Sequence, residues 1–347
     1  MITVKPTQQL YIFGDLQNYD DFLIVTLGLM HLPYLKGLVI TGGAWTNPGT
    51  CAFALQNLCS LCKRDDVQIF IGSVKSTFDG ENYTLGTFSK RISMEEMIDV
   101  DLLGGALGQL KNQNGIRYRR DFVEEISSQE NVAILSIGTM TDVLKVIELP
   151  NVNVVYQQGG RIKESDDSQI NPNPSSNLVL DPIAADECLR RAGHKIYWIM
   201  SDVVPGIRTD QKSIDRLIEI RNSFKSNRNR RILDVNIRYL KSFLQKSIDL
   251  PVSDASAFLL MLFPELIGDN KQFVQTKKLR INKNVFQNVQ EFGNYINVTV
   301  QYHKDVGLMI ESEEFGTETK CVTGFDQELA DTILWSLIDF ENGVEDR

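Results

Sequence analysis

Three carboxylates lie close together near the start of the sequence, at Asp15, Asp20 and Asp21. They follow residues 10–13, an apolar run that predicts a β-strand, and two of them open a segment of helical pattern. Like charges held a few ångströms apart repel each other, so such a cluster needs a cation or raised pKa values. Plain helix capping by Asp20 and Asp21 is the alternative, because acids stabilise a first helical turn. The position at the end of the first strand favours a metal or ligand site.

Two well-known motifs do not account for this cluster. Phosphatases of the haloacid dehalogenase type carry Asp-x-Asp after the first strand, but here Asp15 is followed by Leu16 and Gln17. The glycine fingerprint of dinucleotide-binding folds, G-x-G-x-x-G, does not follow the first strand either. A third kind of site therefore has to explain the acids.

The cysteines and histidines indicate structural roles. Cys59 and Cys62 form a CxxC pair, but they lie among apolar residues at helical spacing, so we interpret them as buried helix residues rather than a redox or metal site. The odd number and wide spacing of the cysteines argue against a disulfide framework and indicate a reducing compartment. The histidines lie at predicted element ends without a catalytic motif nearby, which favours solvated or capping roles for His31, His194 and His303.

The first part of the chain alternates short β-branched or aromatic runs with amphipathic segments of helix length. The runs predict strands at residues 10–13, 37–41, 67–72, 132–137, 152–156 and 195–200. The segments predict helices near residues 20–32, 50–64, 118–129, 141–148 and 182–193. Such βαβ alternation implies right-handed crossovers and an α/β fold, in which a mostly parallel central sheet has helices on both faces.

The remaining sequence predicts a C-terminal helical and β extension, with helices at 213–224, 228–245 and 253–262, strands around 296–301 and a closing helix at 327–340. The basic segment 228–245 is interpreted as a solvated helix face, with a docking face as the less favoured alternative. Long polar stretches at 73–100 and 161–177 follow the third and fifth strands, and loops of this length are usually functional or mobile.

Length and composition limit the classes of function. The chain has 347 residues, of which 42% are hydrophobic, and we expect one α/β domain over residues 1–347. The formal net charge of −9 disfavours nucleic acid and anionic membranes as partners. No apolar run approaches the roughly 20 residues that span a bilayer, and the start lacks the apolar part of a secretion signal. We therefore expect a cytoplasmic protein, although secretion as an effector stays open.

Six short motifs occur in order along the chain. They are Gly14-Asp-Leu-Gln-Asn-Tyr-Asp-Asp21, Val39-Ile-Thr-Gly-Gly-Ala-Trp45, Ala133-Ile-Leu-Ser-Ile-Gly-Thr-Met-Thr-Asp142, Val154-Val-Tyr-Gln-Gln-Gly-Gly160, Asn177-Leu-Val-Leu-Asp-Pro-Ile-Ala-Ala185 and Val252-Ser-Asp-Ala255. The fifth is the most specific. Together they resemble motifs of the inosine–uridine nucleoside hydrolase family, whose members carry Asp-Thr-Asp-Pro-Gly-x-Asp-Asp after the first strand and Asn-x-x-x-Asp-Pro-Glu-Ala-Ala later. The resemblance covers most of the sequence.

The resemblance implies an N-ribosyl hydrolase that cleaves the N-glycosidic bond of a nucleoside or related riboside with the help of Ca²⁺. The implied Ca²⁺ ligands are Asp21, the carbonyl of Thr141 and Asp254, with Asp15 as a substitute ligand. Asp20 is the implied base that deprotonates the attacking water. The implied substrate contacts are Asn47, Gln158 and Asn177. Family members usually form homodimers or homotetramers, which we expect here too.

Four positions depart from the family pattern. The second acid of the first motif falls on Leu16, the acid two residues before the sugar-binding asparagine is Ser175, and the histidine before the last aspartate is Ser253. The asparagine after the second strand is replaced near Ala44 or Trp45, with Asn47 close by. Without that histidine a poor leaving base departs more slowly, by about 10²–10⁴-fold where general acid catalysis normally operates. The alternative to an enzyme is therefore a catalytically impaired module on the same fold. Such a module would bind a ribose-containing ligand, for example ADP-ribose, or a protein, and certain secreted bacterial effectors resemble degenerate chains of this kind.

Overall fold

The strands form where the sequence runs are β-branched or aromatic. A computed structural model describes residues 8–16, 19–41, 48–73, 121–163, 175–245, 251–267, 273–282 and 307–341. Within these residues the strands are β1 Gln9–Gly14, β2 Leu35–Ile40, β3 Gln68–Ile71, β4 Val132–Ser136, β5 Val152–Gln158, β6 Ile162–Lys163, β7 Ile196–Ile199, β8 Val274–Ile281, β9 Met309–Glu311 and β10 Thr317–Val322. The six early strands predicted from the sequence are confirmed.

The strands make one sheet in the order β3-β2-β1-β4-β5-β7-β10-β8-β9-β6. From β3 to β10 in this order every neighbouring pair is parallel, whereas β8 is antiparallel to both β10 and β9. This confirms the mostly parallel central sheet with a β extension near the C-terminus. The chain runs outward from β1 to β3 on one side and from β4 to β7 on the other, so the order reverses between β1 and β4. Ligands bind at the carboxyl ends of strands at such a switch point.

The helices connect these strands by the expected crossovers. In the described residues they are α1 Tyr19–His31, α2 Pro48–Cys62, α3 Phe122–Ser127, α4 Ser176–Val179, α5 Pro182–Ala192, α6 Gln211–Ser223, α7 Asn227–Gln245, α8 Asp254–Leu262 and α9 Gln327–Ile338. Right-handed crossovers from strands that run outward in opposite directions put α1 and α2 on one face of the sheet and α3 and α5 on the other.

The helix predicted at residues 141–148 is wrong. The structure has only a 3₁₀ turn, Val143–Lys145, at this place. The residue before this turn is Asp142. Its carboxylate accepts a hydrogen bond from the Ser73 amide at 2.8 Å, at the end of β3. Pro150 follows soon after and lacks the amide that a longer helix needs.

Helix α1 is the central helix of its face. It is buried from Tyr19 to Leu29 and packs against α2, α7, α8 and α9, so it is apolar all round rather than amphipathic. His31 ends it, and the His31 ring nitrogen Nε2 lies 2.7 Å from the Leu337 carbonyl of α9. This buried helix carries Asp20 and Asp21 in its first turn, and its rigidity fixes where they lie.

Several predictions fall on residues that the structure does not describe: the strand at 296–301, Asn47, His303 and most of the stretches 73–100 and 161–177. Among the described helices, none combines the length and the apolar content that crossing a bilayer requires. The five cysteines are free and buried. Burial raises the pKa of the Cys62 thiol to about 12, in agreement with its interpretation as a structural helix residue.

Candidate active site

Four buried acids lie close together where the chain passes from β1 to α1. Asp15 directly follows β1, Asp20 and Asp21 lie in the first turn of α1, and Asp254 is the first residue of α8. The carboxylates of Asp20, Asp21 and Asp254 each offer an oxygen within 4.8 Å of the others. The structure therefore brings the early acids together with an aspartate more than two hundred positions later, as the motifs implied.

Hydrogen bonds hold these elements together. Tyr19 donates a hydrogen bond from its hydroxyl to the Pro251 carbonyl, which joins the start of α1 to the segment that leads into α8. The Leu16 amide donates to Asp21 Oδ1 at 3.3 Å. Leu16 itself has a φ of 47°, a left-handed conformation that is uncommon for a residue other than glycine, and its side chain is fully buried. The turn is thus held in a strained shape directly beside the acids.

Burial raises the pKa values of all four carboxyl groups. Burial and repulsion from Asp20 raise the pKa of Asp15 to about 7. Burial raises the pKa of Asp20 to about 6, although backbone amides of its own turn and of the start of α8 offset part of the effect. The pKa values of Asp21 and Asp254 lie well above their usual range, first through burial and then through neighbouring acids. Four such groups cannot all ionise in a buried site unless a cation compensates them.

The cluster fits a hard divalent cation. Its donors are all oxygens, which Ca²⁺ and Mg²⁺ prefer. Asp20 Oδ1 is buried and has no hydrogen-bond partner, so this oxygen is available to a ligand. Asp15 lies just outside the closest group of three, but its charge reaches Asp21 and Asp254. The cluster could therefore hold a metal ion through Asp20, Asp21 and Asp254, with Asp15 beside it.

We expect metal-free protein to lose stability as the pH rises toward 7. Below the usual aspartate pKa of 3.8 these acids are protonated in both the folded and the unfolded chain, and no penalty arises. Between that pKa and the raised folded values of about 6 and about 7, the unfolded chain releases protons that the folded chain retains, so the free energy of unfolding falls with pH. Thermal unfolding in chelator at pH 5 and pH 8 measures this.

Ca²⁺ should reverse the loss at the higher pH only. At pH 8 the ion compensates ionised carboxylates and raises the melting temperature, whereas at pH 5 it competes with bound protons and the shift is small. Sodium chloride at equal ionic strength is the control. A Ca²⁺ shift of the same size at both pH values would contradict this account of the cluster.

A second group of polar residues lies beside the acids, at the carboxyl end of β5. Asn177 Nδ2 donates to Gln158 Oε1 at 2.9 Å, to the Gln158 carbonyl at 3.2 Å and to the Ile137 carbonyl at 3.3 Å. Gly159 and Gly160 follow with φ values of 110° and 120°, a region that favours glycine. A Cβ at Gly159 would lie 2.5 Å from Ser175 Oγ. The predicted substrate residues Gln158 and Asn177 are thus in hydrogen-bond contact, and Gly159 leaves room for Ser175 beside them.

Glycine at position 138 lets the β1 and β4 loops touch. A Cβ there would lie 2.8 Å from the Gly14 Cα and 3.1 Å from the Asp15 amide nitrogen. We expect Gly138→Ala to lower the free energy of unfolding by about 1–3 kcal/mol, because the clash is with backbone. Urea denaturation measures this loss. Gly28→Ala is the matched control, since its Cβ would meet only side-chain tips, those of Leu35 at 3.3 Å and Ile12 at 3.4 Å. If both variants lower the free energy of unfolding equally, the contact between the β1 and β4 loops is not the cause of the loss.

Comparisons with known proteins assign the chain to a family. Residues 10–329 match the model of the inosine-uridine preferring nucleoside hydrolases. The chain belongs to this family. No curated protein sequence matches the chain closely enough to refine the assignment further.

Solved structures of nucleoside hydrolases share the fold. A plant nucleoside hydrolase, the PpNRh1 enzyme, has 16% identity and a TM-score of 0.65, and the match covers 96% of this chain and 99% of the plant chain. A purine-preferring ribonucleoside hydrolase from Gardnerella vaginalis has 15% identity and a TM-score of 0.66, with 96% and 98% covered. The type III effector XopQ, solved with adenosine diphosphate ribose, has 14% identity and a TM-score of 0.56, with 96% and 93% covered. At these identities the similarity shows the fold.

Three residues at the site escaped the sequence reasoning. Asp181 accepts a hydrogen bond from Thr141 at 2.7 Å, although the motif around it was noted. Asp142 binds the Ser73 hydroxyl at 2.8 Å and Lys145 at 2.8 Å, which fastens the end of β3 to the turn after β4. Tyr19 links α1 to the start of α8. The sequence signal for these residues was their place inside the motifs, because most of their partners lie far away along the chain.

Proposed function

We propose that this nucleoside hydrolase family member is an N-ribosyl hydrolase that uses Ca²⁺ to cleave the N-glycosidic bond of a nucleoside or related riboside with water. The proposal is carried by one observation, the convergence of three buried carboxylates at the carboxyl edge of the sheet. Asp21, Asp254 and the Thr141 carbonyl are the proposed Ca²⁺ ligands, with Asp15 as a further ligand. The bound ion supplies positive charge that makes nearby water more acidic.

The chain's own residues have the remaining roles. Asp20 takes the proton of the attacking water, because a cation beside it favours the ionised carboxylate, which is the form that accepts a proton. Asn177 and Gln158 hold sugar hydroxyls, because their mutual hydrogen bond fixes them before the substrate arrives. We propose a sugar contact for Asn47 as well, on the family motif alone. The buried floor of the site excludes water other than the reacting molecule.

The test mixes purified chain with Ca²⁺ and a panel of nucleosides and other ribosides, and follows release of the base. We expect release that stops when a chelator removes the metal and resumes when Ca²⁺ returns. A chain that is folded, binds Ca²⁺ and releases no base from any riboside would overturn the proposal.

A second candidate is a binding module that has lost turnover. Two observations favour it: the fully buried Leu16 stands where the family has an acid, and a similar structure, XopQ, was solved with adenosine diphosphate ribose. Such a module would bind ADP-ribose, another ribose-containing ligand or a protein, as an effector does. Calorimetry with ADP-ribose distinguishes the two, because saturable binding without product supports the module and turnover excludes it.

The remaining features of the proposal concern the cellular setting. With a net charge of −9 we propose a small-molecule partner and neither nucleic acid nor a membrane surface. A cytoplasmic location, a single domain and a homodimer or homotetramer complete the proposal. Light scattering on the purified chain measures the last of these.

A further inference from the structure

A buried hydrogen bond joins two loops of the site that lie 40 residues apart. Thr141 Oγ1 donates to Asp181 Oδ2 at 2.7 Å, and both residues are buried. A second hydroxyl, Thr139 Oγ1, lies 3.1 Å from Thr141 Oγ1, within hydrogen-bond distance. A hydroxyl that donates to a carboxylate at this distance makes one of the stronger hydrogen bonds found in proteins.

Asp181 is itself held rigidly by a helix. It is the N-cap of α5, and its Oδ1 accepts from the Ala184 amide at 3.0 Å. Pro182 occupies the first helical position and restricts the backbone directly after the cap. One carboxylate oxygen thus binds the helix and the other binds Thr141. Asp181 cannot rotate without giving up one of these bonds, so α5 fixes the direction of the Thr141 hydroxyl.

The turn after β4 is tied to the same part of the chain at two further points. Cys188 of α5 donates to the Met140 carbonyl at 3.8 Å, and Asn177 donates to the Ile137 carbonyl at 3.3 Å. Threonine is branched at Cβ and has few rotamers, so its hydroxyl direction and its backbone are closely coupled. Fixing Thr141 Oγ1 therefore also fixes the peptide that carries the Thr141 carbonyl.

We propose that Asp181 is a positioning residue that directs the Thr141 carbonyl toward the bound cation. The inference rests on the proposed function, in which this carbonyl is a metal ligand. Because Asp181 and Asn177 lie on one short segment, the same contact couples the metal site to the sugar site. Partners that orient a metal ligand in this way change metal affinity by about 10–100-fold when they are removed.

The test measures Ca²⁺ binding directly, without turnover. Thr141→Val removes the hydroxyl but keeps the branched shape, the backbone carbonyl and the Asp181 cap. By calorimetry on chelator-treated full chain, we expect the Ca²⁺ dissociation constant to rise about 10–100-fold, and Thr141→Ser to recover most of this loss. Asp181→Asn should also weaken binding, because the amide oxygen then accepts from Ala184 and only the Nδ2 group can reach Thr141, in a reversed and uncharged hydrogen bond that is weaker than the one to a carboxylate.

Thr319→Val is the matched control. Its hydroxyl is also buried and donates to the Gly193 carbonyl at 2.9 Å, but it lies at the amino end of β7, away from the site. We expect it to lower the melting temperature as Thr141→Val does, with Ca²⁺ affinity unchanged. If Thr141→Val binds Ca²⁺ as tightly as wild type, or if both variants weaken it equally, the positioning role is wrong and the proposed function stands. If wild type binds no Ca²⁺, the proposed function is wrong and this inference with it.

Discussion

Asp20→Asn is expected to cleave ribosides about 10²–10⁴-fold more slowly than the wild-type chain, because the amide cannot accept the proton of the attacking water. The substitution keeps the size of the side chain at a fully packed position at the start of α1, so the fold should survive. The loss should appear in kcat, measured at saturating Ca²⁺ and substrate, since the base acts in the reaction rather than in binding. Base release from a nucleoside provides the measurement.

Asp186→Asn is the control for this variant. Asp186 is also a buried carboxylate, but it lies on α5 and accepts from the Ile281 amide at 3.2 Å, outside the acid cluster. We expect wild-type turnover from it once the folded fraction is matched by circular dichroism. If Asp20→Asn keeps full kcat and instead requires more Ca²⁺, then Asp20 is a metal ligand and the base lies elsewhere.

The sequence predicted the part of the site that depends on sheet topology. Alternating runs indicated strands β1 and β4, and ligands bind at the carboxyl ends of parallel strands, so Asp15 was expected at that edge of the sheet, whereas Thr141 came from the resemblance to the family motif. The first turn of α1 followed from the apolar segment behind Asp20 and Asp21. These features could be predicted because they follow from local sequence patterns and from the rule that ligands bind at the carboxyl ends of parallel strands.

The rest depends on contacts between distant segments. Nothing local places Asp254 against Asp20; the family motif did so, and the Tyr19 contact with Pro251 is the physical link. The late strand β8 was missed because only Leu279 and Ile281 of its residues are buried, and its other residues include two lysines and an arginine. Its partner β10 adds parallel to β7, a pairing that the spacing of motifs does not reveal. Hydrogen bonds such as that between Thr141 and Asp181 leave no local pattern at all.

We expect the residue before Asp254 to limit which substrates react quickly. Ser253 begins the turn into α8, and its hydroxyl lies 3.5 Å from the Pro251 carbonyl. A serine hydroxyl does not donate a proton to a departing base at neutral pH, whereas a histidine does. Of the histidines in the described part of the chain, His31 contacts α9 and His194 is exposed ahead of β7. We therefore expect the leaving group to depart with little help from the two histidines that the structure describes.

A riboside with a good leaving group should react much faster than a nucleoside whose base needs a proton. We expect kcat/KM for p-nitrophenyl riboside to exceed that for inosine by about 10²–10⁴-fold, the usual contribution of general acid catalysis. Ser253→His should raise the inosine value and leave the p-nitrophenyl value unchanged, because only the inosine reaction lacks a proton donor. Ser253→Ala is the matched control and should keep the wild-type ratio. Comparable kcat/KM values for the two ribosides in the wild-type chain would mean that another residue already protonates the base, and substrate choice would then depend on that residue rather than on position 253.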